Sequence, residues 1–164
     1  MLLQIIVDDT EVIKKSEELI DQILGLLGVQ AARSISMEVD EAEEKFLKVS
    51  IEGEDLGYVI GYRGNTLNAL QLLFVQILSR EIEENVMVLV DINGFRERRK
   101  AHLESLALRA MQQAKDSKQD IELPPLSPYE RRVIHLLIKK EEGVETESIG
   151  EGEDRHIVVK FENK

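Results

Sequence analysis

The chain has no cysteine and no tryptophan. Without thiols it has no disulfide framework and no thiolate metal site. Aromatic residues make up only 4% of its 164 residues, so any core must be aliphatic, built from Leu, Ile, Val and Ala. Long apolar runs are missing too: the best candidate, Ala69 to Leu78, is interrupted by Gln71 and Gln76 and falls well short of the roughly 20 residues that span a bilayer. Met1 to Val7 is apolar but short, has no basic flank and runs into Asp8 and Asp9, unlike a signal peptide. No membrane insertion is expected, and a cytoplasmic location follows by default. The three histidines, His102, His135 and His156, lie far apart and outside any metal-ligand spacing. Ser105 follows His102 by three residues, but no third group orients such a pair. The sequence therefore reads as a non-enzyme with no metal and no cofactor.

What is present is 43% hydrophobic residues, enough for one ordinary domain or two small ones, and a net charge of −11. That charge is unevenly spread. Residues 1–93 carry 7 basic and 18 acidic side chains, residues 94–140 carry 11 and 6, and residues 141–164 carry 3 and 8. Charges are screened over about 8 Å at physiological salt. A basic middle segment can thus act locally, while the acidic remainder mainly slows long-range encounter.

Val12 to Leu27 has apolar residues at three-and-four spacing and predicts an amphipathic helix stopped by Gly28. Strands are predicted at Ile35 to Val39 and Phe46 to Ile51, with the acidic stretch Asp40 to Glu44 as the turn. A short helix around Asp55 to Ile60, a glycine loop, a long helix from Asn65 to about Glu83 and a strand over Val86 to Ile92 complete the first unit, 1–93. After Asn93-Gly94 come a helix over about Phe95 to Lys115, a short strand at Asp120 to Leu123 and a Pro-Pro connection. A helix from Pro128 to about Glu141 and strands at Val144 to Ile149 and His156 to Phe161 close the second unit, 94–164. Both units are α+β.

The loop Val59-Ile60-Gly61-Tyr62-Arg63-Gly64-Asn65-Thr66-Leu67 holds two glycines three apart, between a short and a long helix. Glycine lets another backbone approach closely. The free N–H groups and dipole at the start of the next helix favour an anion such as phosphate, and Arg63 adds a mobile positive charge. No Walker or dinucleotide-binding glycine pattern is present.

In the second unit, Ser127-Pro128-Tyr129-Glu130 is a helix start with Ser as N-cap, Pro first and Glu three after the cap. Beyond it, Arg131, His135 and Lys139 recur every four residues, with Arg132 beside them, opposite an apolar arc. Arg96, Arg98, Arg99 and His102 crowd the start of the preceding helix, where cations oppose the macrodipole. A negatively charged partner would explain both clusters; a solvated basic face is the plainer reading.

The first segment resembles a type II KH domain, with its extra helix and strand on the N-terminal side. The resemblance implies that Gly61, Tyr62, Arg63 and Gly64 clamp the backbone of about four single-stranded nucleotides. Ile60, Asn65 and Leu67 are then candidates for the base groove, with ordinary core as the alternative for Ile60 and Leu67. Arg131-x-x-x-His135 resembles the signature of the R-3-H domain, a small module of two helices on a three-stranded sheet. Together with Asp91-Ile92-Asn93-Gly94-Phe95-Arg96-Glu97-Arg98-Arg99 and Thr146-x-Ser148-x-Gly150-Glu151-Gly152, these motifs resemble, in order, the bacterial Jag family, also called SpoIIIJ-associated or KhpB. The family implies binding of single-stranded RNA (single-stranded DNA is the alternative), pairing with a second small KH protein or a homodimer, and a link to cell elongation or sporulation. Two departures are expected: the additional N-terminal Jag domain of many members is missing, and Phe95 replaces a Tyr, affecting packing rather than binding. The competing reading is a protein-interaction or dimerisation module for acidic partners.

Overall fold

Asp8 opens the first helix, α1 (Asp9–Leu26), by accepting the Thr10 amide on its side chain, with acidic residues in the first turn where the dipole favours them. This is a computed structural model, and it describes residues 8–40 and 42–162; Met1 to Val7 lie outside the described residues. Gly28, left-handed at φ 67°, follows the end of α1. The chain then forms β1 (Ala32–Val39) and β2 (Lys45–Glu52) in antiparallel register, with Ile35 opposite Val49. The acidic turn between them is held by the Asp40 carboxylate, which accepts the Ala42 and Glu44 amides at 2.9 and 2.8 Å.

A single turn, α2 (Gly57–Ile60), leads through the glycine loop into α3 (Asn65–Ile82), and β3 (Val88–Ile92) pairs parallel to β2. The strand order is β1-β2-β3. With α1 and β1 placed before the β2-α2-α3-β3 core, this is the type II KH arrangement. One face of the sheet is buried: Leu47, Val49 and Ile51 from β2 and Val90 and Ile92 from β3 pack in the same core as Leu67, Leu70, Phe74 and Leu78 of α3 and Ile20 and Leu24 of α1. Spacing by three and four gives α3 one continuous apolar stripe. Phe74, fully buried, is its largest element; truncation to Ala would cost about 3–5 kcal/mol. Ser16 also lies on the buried face of α1, and its hydroxyl is satisfied by the Val12 carbonyl at 2.7 Å.

The second unit is built from α4 (Phe95–Ser117), β4 (Ile121–Glu122), α5 (Pro128–Ile138), β5 (Val144–Ile149) and β6 (His156–Phe161). Its sheet has the order β4-β6-β5, antiparallel throughout. Leu103, Ala107, Ala110 and Ala114 of α4 and Ile134 and Ile138 of α5 share a core with Val144, Ile157 and Val159: two helices on a three-stranded sheet. The boundary between the two compact units falls at Arg96/Glu97, within the first turn of α4.

Several boundaries differ from the sequence reading; α1 and β1 each begin three residues earlier than predicted, at Asp9 and Ala32. The strand predicted from Val86 begins at Val88. The strand predicted at Asp120 to Leu123 is the two-residue β4, because Pro124 and Pro125 follow and cannot donate to a ladder. The helix predicted to reach Glu141 ends at Ile138, the last residue of its apolar arc.

Candidate nucleic-acid interface

The glycines of the loop are required by their backbone and by their neighbours. Gly61 has φ 72° and ψ −179°, a conformation essentially restricted to glycine. A Cβ there would also collide with Thr66, whose own Cβ lies 2.7 Å and whose amide nitrogen lies 2.9 Å from the place it would occupy. Gly64 is left-handed at φ 81°, and its missing Cβ would meet the Phe95 ring at 2.6 Å. Between them Arg63 is left-handed as well, at φ 54° and ψ 27°, a rare state for a residue with a Cβ. Its guanidinium carbon stands 4.4 Å from the centroid of the Tyr62 ring, within cation–π range. Tyr62 is 72% exposed. No side chain caps the start of α3, whose N-cap is Gly64, and no acidic residue lies in its first turn; the Asn65 amide bonds the Tyr62 carbonyl, and the positive end of the helix dipole faces the loop.

Asn65 is exposed and Ile60 half-buried, packed against the edge of the core. Leu67 is a correction: it is 0% exposed and presents no surface to a base. It heads the apolar stripe Leu67-Leu70-Phe74-Leu78, and helical spacing turns it under the loop into the core. Tyr58, absent from the sequence reading, is 60% exposed on α2. The signal for it was scarcity: the chain has three tyrosines, and all three, Tyr58, Tyr62 and Tyr129, are exposed, although a tyrosine ring is a large apolar surface that packing usually claims.

The junction motif proves structural. The Asp91 carboxylate accepts the Arg96 amide at 3.0 Å and so caps α4. The Asn93 side chain bonds both the amide and the carbonyl of Gly53, at 3.0 and 2.9 Å. Arg96 is a further correction to the accessory basic cluster. Its guanidinium donates to the Val90 carbonyl at 2.7 Å, to Gln71 at 2.9 Å and to Asn68 at 3.2 Å. It braces β3 against α3.

Arg99 is corrected for the same reason. Its Nε donates to Glu130 Oε1 at 2.7 Å, and Glu130 is only 4% exposed. The other Glu130 oxygen accepts the Ser127 amide at 2.8 Å, while the Ser127 hydroxyl accepts the Glu130 amide, completing the capping box of α5. Burial alone would raise the Glu130 carboxyl, but the Arg99 guanidinium and the Ser127 amide outweigh it and hold it below the usual carboxylate range. Arg98 and His102 are exposed on α4.

On α5, Arg131 is half-buried and donates to the Leu126 carbonyl at 2.6 Å. Arg132, His135 and Lys139 are exposed. His135 Nδ1 is hydrogen-bonded to the Thr146 hydroxyl of β5 at 2.6 Å, which leaves Nε2 for a ligand. Arg131 and His135, four apart, are neighbours along the helix. No group of three or more His, Asp or Glu side chains that could hold a metal occurs among the described residues, and none of the described helices is long and apolar enough to cross a membrane.

Comparison with known proteins agrees with the two-domain fold. Residues 17–90 match the KH domain of KhpA/KhpB, and residues 101–161 match the R-3-H domain. A protein of Clostridium symbiosum named RNA-binding protein KhpB is 34% identical over 150 residues, covering 92% of this chain and 66% of its own length. A Bacillus subtilis protein of the same name is 36% identical over 121 residues, covering 73% of this chain and 58% of its own. One from Streptococcus pneumoniae is 29% identical over 157 residues, covering 93% and 44%. The chain belongs to the KhpB/Jag family. It spans between 44% and 66% of the length of these KhpB relatives. The KhpA/KhpB match contains the glycine loop, and the R-3-H match contains both α5 and β5.

Proposed function

We propose that this KhpB-family chain binds single-stranded RNA, without catalysis, through a backbone clamp at Gly61-Tyr62-Arg63-Gly64 and a second contact on the R-3-H face. The observation that carries the reading is the loop. Two glycines in positive-φ conformations, Gly61 half-buried and Gly64 buried against Phe95, shape the loop at the N-terminus of α3, and Arg63 between them has no carboxylate partner among the described residues. Phosphate takes such a site through N–H groups and a guanidinium, while Tyr58 and Tyr62 offer ring faces to unstacked bases. In the second unit, Arg131, Arg132, His135 and Lys139 supply the contact. A cytoplasmic post-transcriptional role, with the tie to cell elongation or sporulation that the family implies, belongs to the same proposal.

A second reading, an interaction module, draws on α3. Leu72, Leu73 and Ile77 are exposed on that helix, the first two at 62% and 59%. A second small KH protein or another copy of this chain is the partner that reading supplies, and it is compatible with RNA binding.

The test is a titration of wild type and the Tyr62→Asp/Arg63→Asp variant against matched single-stranded RNA and DNA at two salt concentrations, after both proteins are shown to be folded. The proposal expects RNA to be preferred and the variant to lose most of its affinity. Equal binding by both proteins moves the contact to the R-3-H face. No binding by either makes the interaction module the leading reading.

A further inference from the structure

The helix-facing side of β5 changes character along its length. Strand alternation puts Val144, Thr146 and Ser148 on one side of the sheet. Val144 is buried in the core with Ile134 and Ile138 of α5. Thr146 holds His135, and Ser148 accepts a hydrogen bond from Arg155 Nε at 3.0 Å. Two successive positions on this side thus carry a hydroxyl, each fixed to a nitrogen-bearing side chain. They are about 7 Å apart along the strand, the scale of one nucleotide step.

Arg155 is one of several arginines of this acidic chain that face no carboxylate among the described residues, and it differs from them in being oriented by a hydroxyl. Arg33, Arg99 and Lys160 all face carboxylates. Arg155 is exposed, its hydrogen-bond partner is the neutral hydroxyl of Ser148, and no carboxylate lies within ion-pair distance of it among the described residues. A hydroxyl on Nε orients the guanidinium without neutralising it, and the outer pair of nitrogens is left in the fork geometry that matches a phosphate. The hairpin before it carries Glu151, Glu153 and Asp154, which repel a phosphate, so Arg155 marks the edge of the site.

We propose that Arg155, oriented by Ser148, binds a backbone phosphate next to the nucleotide contacted by His135 Nε2, so that β5 as well as α5 forms the RNA-binding face of the second unit. The inference rests on the reading that this unit binds RNA.

Arg155→Gln and Ser148→Ala, in the full chain, are titrated with a mixed-sequence single-stranded RNA over a range of salt, with unfolding curves recorded for each. Loss of one phosphate contact should lower the steepness of log K against log salt by about 0.7 in Arg155→Gln, with a loss of about tenfold in affinity. Ser148→Ala keeps the charge, so its salt slope should stay near wild type while its affinity falls. Wild type that binds RNA with both variants unchanged overturns this inference and leaves the RNA reading standing. A wild-type chain that binds no RNA overturns both.

Discussion

Replacing Gly64 by Ala separates what the loop glycines do for the fold from what the loop does for a ligand. The added methyl meets two penalties. At φ 81° a residue with a Cβ costs about 1–2 kcal/mol. The Cβ would also stand 2.6 Å from Phe95 Cε1 and 3.2 Å from its Cζ, and overpacking of that kind costs about 1–3 kcal/mol. Restricting the unfolded chain returns roughly 0.4–1 kcal/mol. The net loss is about 1–5 kcal/mol, which lowers the midpoint of a domain of this size by at least about 4 °C. The assay is thermal unfolding of the first unit, followed by far-UV circular dichroism, for Gly64→Ala, Phe95→Leu and the double variant. Because Phe95 is the wall, the double variant should be less destabilised than the sum of the singles, with a coupling of about 1 kcal/mol or more. Additive effects, or a Gly64→Ala midpoint within a degree or two of wild type, would refute the close approach of Phe95. A glycine substitution that abolishes RNA binding therefore reports unfolding first, whereas the exposed Tyr62 and the half-buried Arg63 beside it report the ligand.

Glu130→Gln keeps the shape of the capping box and removes the charge facing Arg99; the second unit should lose about 1–3 kcal/mol, discounted from a fully buried pair because Arg99 is partly exposed. The lowered carboxyl of Glu130 contributes stability above the ordinary carboxylate pKa and loses it as pH falls through the folded value, so the gap between wild type and variant should close below about pH 4; a pH-independent gap would show the ion pair is not its source. Arg96→Gln should weaken the first unit by about 1–3 kcal/mol through its lost hydrogen bonds and leave the salt slope of RNA binding unchanged; a reduced slope would restore Arg96 to the interface.

The elements were legible where period and punctuation agreed. α1 reads from its three-and-four pattern with Gly28 beyond it, and α5 from Ser127, Pro128 and Glu130, whose reciprocal hydrogen bonds are all present. The last two strands begin and end where alternation put them. The site was less legible, because composition cannot say where a guanidinium points. Nothing in the sequence shows that Arg96 and Arg99 are bound internally, by the oxygens of Val90, Asn68 and Gln71 for one and of Glu130 for the other. Thr146 and Ser148 were visible only as part of a family motif; their hydrogen bonds to His135 and Arg155 depend on the pairing of β5 with β6 and its packing on α5.

How a chain of net charge −11 can hold a polyanion follows from which charges are already spoken for. In the first unit Lys15, Arg33, Lys45 and Lys48 each face a carboxylate, and in the second Arg99, Lys115 and Lys160 do. Exposed pairs of this kind add little stability, but they remove both partners from the field a ligand meets. Of the arginines with no carboxylate partner among the described residues, Arg80 and Arg109 lie outside the proposed contacts, and Arg63, Arg131, Arg132 and Arg155 belong to them. Arg63 lies in the glycine loop, and Arg131, Arg132 and Arg155 lie on α5 or at the start of β6. With screening over about 8 Å, the field at each site is set by these few groups and not by the total. The distant acids act on the encounter instead, slowing approach and opposing the sequence-independent phosphate contacts on which non-specific binding depends. An acidic chain with a few uncompensated arginines is thus suited to hold a strand where backbone clamp, ring faces and guanidinium coincide, and to release it elsewhere.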